Sequence, residues 1–102
     1  MESENLQNQI ISIEFEVFGE VQGFYFTKYC RDKCNELGIV GWIKNSKKGT
    51  IIGKIQGKKI DIDKIIVWLS KKGSPGCHIE KCNFSNIEYL IKPQFKEFVL
   101  RF

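Results

Sequence analysis

The sequence predicts an α+β sandwich in which two helices cover one face of an antiparallel sheet. Two observations lead to this fold class: strand and helix signals follow one another in the order of a repeated split β-α-β unit, and apolar residues recur with the matching period in each segment. Such a repeat places both helices on the same face of the sheet. The chain has 102 residues, the usual size of one domain with one hydrophobic core.

The first predicted element is a strand over residues 11–17. Apolar and polar side chains alternate there, which is the pattern of a strand with one buried face. The apolar face consists of Ile11, Ile13, Phe15 and Val17. The residues before the strand are mostly polar, so we expect residues 1–9 to form a flexible segment and residues 10–102 to form the folded domain.

The second predicted element is a helix that follows a glycine-bounded loop at residues 19–23. Apolar residues recur at helical intervals after that loop, and Gly38 supplies the glycine that commonly ends a helix. The apolar stripe consists of Phe26, Cys30, Cys34 and Leu37. We therefore expect both cysteines of this segment on the buried side of the helix.

The next two predicted strands form a hairpin over residues 39–45 and 50–56. The residues between them, Ser46-Lys47-Lys48-Gly49, are typical of a hairpin turn. The first half of the chain therefore has the order β-α-β-β.

The second half supplies another helix and the remaining strands. Asp61 is predicted to cap the N-terminus of this helix, and Gly73-Ser74-Pro75-Gly76 is predicted to end it. The apolar stripe of the helix consists of Ile62, Ile65, Ile66 and Leu69. Strands predicted over residues 79–87 and 95–101 complete a ferredoxin-like β-α-β-β-α-β sandwich with an added C-terminal strand.

Charge and hydropathy narrow the function classes. Sixteen basic residues against twelve acidic ones leave a net charge of +4, which suits an anionic ligand but is too small and too scattered to indicate nucleic-acid binding. No apolar run approaches the length that crosses a bilayer, and no basic-then-apolar secretory leader is visible. We expect a cytoplasmic protein that binds neither nucleic acid nor membrane and that is a monomer, because no interface pattern stands out.

The four cysteines do not have the spacing of a metal site. Cys30 and Cys34 lie four residues apart inside a predicted helix, and Cys77 and Cys82 lie five apart before a strand. Neither spacing is that of a zinc ribbon, and the single histidine, His78, has no evident nucleophile or base partner. In a reducing compartment such thiols act as small hydrophobic side chains rather than as disulfides. We expect no metal and no cofactor.

The loop between the first strand and the first helix is the candidate binding site. Its glycines permit the positive φ angles at which several backbone N–H groups converge on one point. The helix N-terminus adds unpaired N–H groups and the positive end of the helix dipole. The spacing alone leaves two interpretations open, an oxyanion or phosphate cradle and a plain turn. The residues of this loop are Gly19, Glu20, Val21, Gln22, Gly23, Phe24 and Tyr25.

Four segments of the chain, FGEVQGFYF, GIVGWIKNSKKGTIIGKIQG, WLSKKGSP and NFSN, closely resemble the acylphosphatase family in order and spacing. The resemblance runs from about Ile11 to the C-terminus. It implies an enzyme that hydrolyses carboxyl-phosphate mixed anhydrides to a carboxylate and inorganic phosphate without a metal. It also implies that backbone N–H groups of the loop hold the phosphate and that Asn45 orients the attacking water, a role that suits a side chain with both donor and acceptor. Without the resemblance, Asn45 would be interpreted as a turn residue.

The chain departs from the family pattern at the position where an arginine is expected to grip the phosphate, because that position holds Thr27. Threonine donates one hydrogen bond and cannot make the bidentate, charge-assisted contact of a guanidinium. Glu20 likewise stands where the pattern has a basic residue. We therefore expect a weakened acylphosphatase. Arg31, one helical turn after Thr27, is the candidate compensating cation, and the alternative is that Arg31 is a solvated surface charge near Asp32 or Glu36.

Two other functions are weighed against a weakened enzyme. The first is a catalytically inactive descendant that keeps the fold and binds an anion or a partner, which stays open because of residues 20 and 27. The second is an RNA-recognition module, whose third-strand motif the segment 48–53 imitates. That module needs aromatic side chains on the sheet surface, where this chain has Thr50 and Ile52, so it is rejected.

Overall fold

The computed structural model describes residues 9–102, and its order of strands and helices confirms the one predicted from the sequence. Residues 1–8 of the predicted N-terminal segment lie outside the described residues. A π-helical turn, Trp68–Lys72, continues the second helix. The elements are β1 (Ile10–Glu20), α1 (Phe26–Leu37), β2 (Val40–Asn45), β3 (Ile51–Lys58), α2 (Lys59–Val67), β4 (His78–Leu90) and β5 (Phe98–Leu100).

The five strands form one sheet in the order β4-β1-β3-β2-β5. The pairs β1–β4, β1–β3 and β2–β3 are antiparallel, as the sequence predicts. The last pair differs from the expected antiparallel arrangement, because β5 runs parallel to β2 with Gly41 opposite Phe98. Since β4 ends at the end of the sheet where β2 begins, residues 91–97 lead to β5 beside the start of β2 and in the same direction.

Both helices pack on the same face of the sheet and contact each other. The helix α1 lies over β2 and β5, and α2 lies over β1 and β3. The side chains between the layers form one core, in which the ring centroids of Phe26 and Trp68 are 5.0 Å apart. The ferredoxin-like α+β fold predicted from the sequence is therefore confirmed.

Local residues explain where the helices begin and end, and one predicted helix cap is wrong. Gly38 ends α1 in a left-handed conformation, with φ 75°, and its N–H donates to the Asn35 carbonyl, as predicted. The prediction that Asp61 caps α2 is wrong, because Lys58 in extended conformation is the N-cap residue. The chain passes from β3 directly into α2, so Asp61 lies inside the first turn of the helix. Its carboxylate still interacts favourably with the positive end of the helix dipole there.

The cysteines of α1 lie in the core. Cys30 and Cys34 are fully buried, and burial raises the pKa of the Cys30 thiol well above its ordinary value. Burial also raises the pKa of Cys82 to about 12. All four cysteines are free thiols, and the buried ones stay protonated and pack as apolar side chains.

Residues 9–102 contain neither a metal-ligand cluster nor a membrane-spanning helix. In that part of the chain, no three or more His, Cys, Asp and Glu side chains group as metal ligands. No helix there has the length and apolar character that a bilayer crossing requires.

Candidate active site

The chain turns sharply between the end of β1 and the start of α1, where three residues have positive φ angles: Gly19, still within β1, and Gly23 and Tyr25 after it. Gly19 has φ 131°, and a Cβ there would collide with the His78 carbonyl oxygen, so only glycine fits beside β4. Gly23 has φ 86°. Tyr25 has φ 56° although it is not glycine, and this left-handed residue is the N-cap of α1. Sparsely populated backbone conformations of this kind concentrate at binding sites.

The turn leaves a run of backbone N–H groups without acceptors. The first N–H of α1 that is bonded belongs to Tyr29, which donates to the Tyr25 carbonyl over 3.0 Å. Within residues 9–102, no hydrogen bond of good geometry is donated by the backbone N–H groups of residues 21–28, and no side chain caps α1. These donors lie at the positive end of the α1 dipole, so the site has what a backbone oxyanion cradle requires.

Gln22 fastens the loop to the β2–β3 hairpin. Its side-chain amide Nε2 donates to the Ser46 carbonyl over 2.9 Å and to the Thr50 carbonyl over 2.8 Å. These two carbonyls flank the hairpin turn, so one side chain bridges the loop and the turn. The sequence pattern indicates only that Gln22 is a loop residue. Its role was missed because its acceptors are backbone carbonyls 24 and 28 residues away, which no side-chain pattern marks.

The hairpin turn is held by hydroxyl groups. The Ser46 and Thr50 hydroxyls are 2.6 Å apart, and the Thr50 hydroxyl donates to Glu16 Oε2 over 2.6 Å. The Thr50 hydrogen bond, aided by the charge of Lys48 with its Nζ 3.5 Å from Glu16 Oε2, lowers the pKa of the Glu16 carboxyl. The carboxylate of Glu16 therefore accepts from the turn as an ionised group.

Asn45 is the last residue of β2 and precedes Ser46, the residue whose carbonyl accepts from Gln22. Its side chain is exposed and makes no hydrogen bond within residues 9–102. The turn is stabilised by Ser46 and Thr50, which leaves the Asn45 amide available to another group. Through Gln22, the structure brings the strand end that carries Asn45 next to the loop.

Thr27 and Arg31 lie on α1 without a shared contact. Thr27 is the second residue of the helix and half-buried, and its hydroxyl makes no hydrogen bond in the described part of the chain. The Nε of Arg31 is 3.5 Å from Asp32 Oδ1, and the side chain is 37% exposed. This is the surface-charge arrangement that the sequence left open for Arg31, and such exposed pairs contribute little to stability.

The remaining loop residues form its rim. Glu20 is exposed at the end of β1, where its Cα is paired with that of His78. The ring of Phe24 lies beside Gly76, 3.5 Å from where a Cβ would stand, and Tyr25 is 75% exposed. Val21 is buried in the core and anchors the loop from below. The rim thus has aromatic side chains and one carboxylate.

Fold and loop together define a ferredoxin-like domain with a backbone cradle at the start of its first helix. The sequence profile of the acylphosphatase family matches residues 13–99, and the chain belongs to that family. It is 42% identical to human acylphosphatase-2 over 91 residues. The aligned segment covers 89% of this chain and 92% of the human protein. It is 44% identical over 92 residues to acylphosphatase-1 of Xenopus laevis, covering 90% and 93%.

A solved structure agrees with this assignment. The structure of an acylphosphatase from Coxiella burnetii superposes with a TM-score of 0.80 at 28% identity, covering 91% of this chain and 94% of that one. The family and the fold expected from the sequence are therefore confirmed.

Proposed function

We propose that this protein hydrolyses acyl phosphates, giving a carboxylate and inorganic phosphate, and that residue 27 makes it a weakened catalyst. The observation that carries the proposal is the run of unpaired N–H groups over residues 21–28, fixed by Gln22 against the hairpin that carries Asn45. Membership of the acylphosphatase family supports the same reaction.

The reaction needs only one new bond and one broken bond at phosphorus. The loop N–H groups hold the phosphoryl oxygens, and the Asn45 amide orients a water in line with the leaving group. The water oxygen bonds to phosphorus as the bond from phosphorus to the acyl oxygen breaks, and the water proton is released to solvent. The leaving group is a carboxylate, whose conjugate acid has a pKa near 4, so no general acid is needed to protonate it. Neither a metal nor a protein nucleophile takes part.

Thr27 limits the rate because only the backbone N–H dipoles of the loop and of the start of α1 stabilise the negative charge on the phosphoryl oxygens. An arginine that stabilises a phosphoryl-transfer transition state contributes roughly 10³ to 10⁵ in rate. The threonine hydroxyl replaces at most one of the hydrogen bonds of a guanidinium. Arg31 would compensate only by leaving Asp32 and reaching back one turn toward the loop.

The test of Asn45 uses the purified protein with an aromatic acyl phosphate and a chelator. We expect Asn45→Ala to remove the hydrolysis while leaving the affinity for inorganic phosphate nearly intact, because the cradle is backbone. Asn83→Ala is the matched control, since Asn83 is also an exposed strand residue but lies on β4. Equal loss of hydrolysis and phosphate affinity in Asn45→Ala would contradict the role of orienting water.

Arg31 is tested in the same assay. If Arg31 compensates for Thr27, Arg31→Ala lowers the affinity for phosphate and the rate, whereas Lys33→Ala, two residues further along α1 and about 200° around the helix, changes neither. Unchanged phosphate affinity and rate in Arg31→Ala would leave Arg31 as a surface charge paired with Asp32.

The second candidate function is an inactive, anion- or partner-binding protein. Thr27 and Glu20 favour it, because together they remove positive charge from the mouth of the loop. In that case the unmodified protein binds phosphate but hydrolyses no acyl phosphate, and a double variant Thr27→Arg with Glu20→Lys that also stays inactive would show that more of the site than these two positions has been lost. Hydrolysis by the unmodified protein excludes this function.

We also propose that the protein is a cytoplasmic monomer that does not bind nucleic acid. The free thiols of the chain support a reducing compartment, and the net charge of +4 is modest and scattered along the sequence, which does not favour nucleic-acid binding. Light scattering on the eluting peak of a sizing column tests the monomer, with a mass of 11.9 kDa expected. A mass of twice that value would contradict it.

A further inference from the structure

A second concave surface lies between α1 and α2 and uses none of the loop residues. It is a groove of about 540 Å³. Its apolar side chains come from α2 and the π-helical turn, and lysines from both helices line its rim. We call it the helix groove, and it is formed by Lys33, Ile60, Asp63, Lys64, Val67, Trp68 and Lys72.

The apolar part of the helix groove is not used by the core. Ile60 and Val67 lie seven residues apart on one face of α2, and they are 65% and 56% exposed. Trp68 belongs to the core and presents its remaining surface to the groove. An exposed apolar surface rimmed by charged side chains is typical of an interaction site. The π-helical turn that follows α2 is also of a kind that is frequent at functional sites.

Among residues 9–102, two of the three lysines on the rim of the helix groove have no counterion, whereas the Nζ of Lys33 is 3.5 Å from Glu36 Oε2. Lys64 and Lys72 make no salt bridge with any residue between 9 and 102. Asp63 is already paired with Lys59, whose Nζ is 2.8 Å from Asp63 Oδ2. The rim therefore complements a ligand that carries carboxylates beside apolar groups.

We propose that the helix groove binds a short acidic segment of another protein, with two or three large apolar side chains against Ile60, Val67 and Trp68 and carboxylates beside Lys64 and Lys72. A groove between helices that takes alternating apolar and charged side chains is a recurring mode of peptide recognition. A flat anionic membrane fits less well, because the carboxylate of Asp63 lies among the residues that line the groove. This proposal is independent of the proposed hydrolysis.

The experiment begins with a selection of random 16-residue peptides displayed on phage against the purified protein. We expect the enriched peptides to be acidic and to carry two or more large apolar residues. Synthetic copies are then titrated against Trp42→Phe protein, in which Trp68 is the only tryptophan and its fluorescence reports on the groove. Binding should weaken as salt is raised, because exposed charges take part.

Matched substitutions locate the binding. Val67→Glu and Lys64→Glu should each weaken the selected peptides at least tenfold. Ile87→Glu should not, although Ile87 on β4 is as exposed as Val67, at 56%, and Lys96→Glu should not either. All four positions are exposed, so we expect the four variants to fold, and the melting temperature of each variant checks this. If Val67→Glu unfolds, Ile60→Ser takes its place.

Three results would overturn the proposal. The first is a selection that yields no peptide sensitive to Val67→Glu. The second is a selected set that is basic, or that is lost equally in Ile87→Glu. The third is binding of phosphatidylserine-containing vesicles that Val67→Glu abolishes, with no groove-dependent peptide, which would assign the groove to a membrane surface instead.

Discussion

Removing the Gln22 side chain tests whether the loop is held in place by the β2–β3 hairpin. Gln22→Ala deletes the two hydrogen bonds to the Ser46 and Thr50 carbonyls. Each such bond contributes about 0.5–1.5 kcal/mol, so we expect the free energy of unfolding to fall by about 1–3 kcal/mol. For a domain of this size 1 kcal/mol lowers the melting temperature by about 4–8 °C, which gives a drop of roughly 4–24 °C.

The assay pairs thermal unfolding, followed by circular dichroism, with calorimetric titration of inorganic phosphate. Phosphate affinity should fall in Gln22→Ala, because a loop released from the hairpin must be ordered when the anion binds. Gln22→Met is the matched second variant, since it keeps the length of the side chain and removes the amide with its two donated hydrogen bonds. A melting temperature and a phosphate affinity that both stay unchanged in the two variants would refute the role of Gln22.

Three further predictions concern the backbone, the pH dependence and the N-terminus. Gly19→Ala should cost more stability than Gly23→Ala in urea unfolding, because only at Gly19 would the new Cβ meet another atom within 4 Å, and equal costs would contradict the close approach to β4. The pKa of Glu16 lies below its ordinary value of 4.5 in the folded protein, so its contribution to stability is full above that pH and is lost as pH falls through the lowered pKa. The free energy of unfolding of Glu16→Gln should therefore approach that of the unmodified protein in acid. A stability difference between the two that grows in acid would contradict the lowered pKa of Glu16. Removing residues 1–8 should leave the melting temperature unchanged if the domain begins at residue 10, and a large drop would contradict that boundary.

The periodic features of the fold could be predicted from the sequence. Alternation correctly predicted that Ile13, Phe15 and Val17 are buried, and the helical stripe placed Cys30 and Cys34 in the core, because burial of apolar groups decides both. Alternation did not predict that Ser12 is fully buried, where its hydroxyl accepts from Gln56 Nε2. The parallel pairing of β5 could not be predicted, since it depends on which end of the sheet β4 reaches. Asp61 was a reasonable cap by residue type, but the direct passage from β3 to α2 moved the helix start to Lys59.

The candidate site was predictable in part. The glycines marked the turn of the loop, and both Gly19 and Gly23 do have positive φ angles. The resemblance added Asn45, which no local pattern distinguishes from a turn residue. The hydrogen bonds of Gln22 could not be foreseen, because they end on backbone carbonyls of a distant hairpin. The left-handed Tyr25 was also missed, since residues other than glycine seldom adopt that conformation.

Thr27 raises the question of how the site handles charge. With Arg31 beside Asp32 and Lys48 beside Glu16, these two cations are each within 3.5 Å of a carboxylate. The anion would then be bound by the dipoles of residues 21–28 and by no formal charge at position 27. Dipoles that are already oriented still stabilise a developing charge, which is why we expect reduced rather than absent turnover.

The most direct test of the account is the rate of metal-free acyl phosphate hydrolysis before and after Thr27→Arg. We expect slow hydrolysis by the unmodified protein and a gain of at least about 10³ in the variant, mainly in kcat, because the restored guanidinium acts on charge that develops in the transition state. Thr27→Lys is the control that adds charge without the bidentate contact, and it should recover less. Fast hydrolysis by the unmodified protein, or no gain in Thr27→Arg with Glu20→Lys added, would contradict the account.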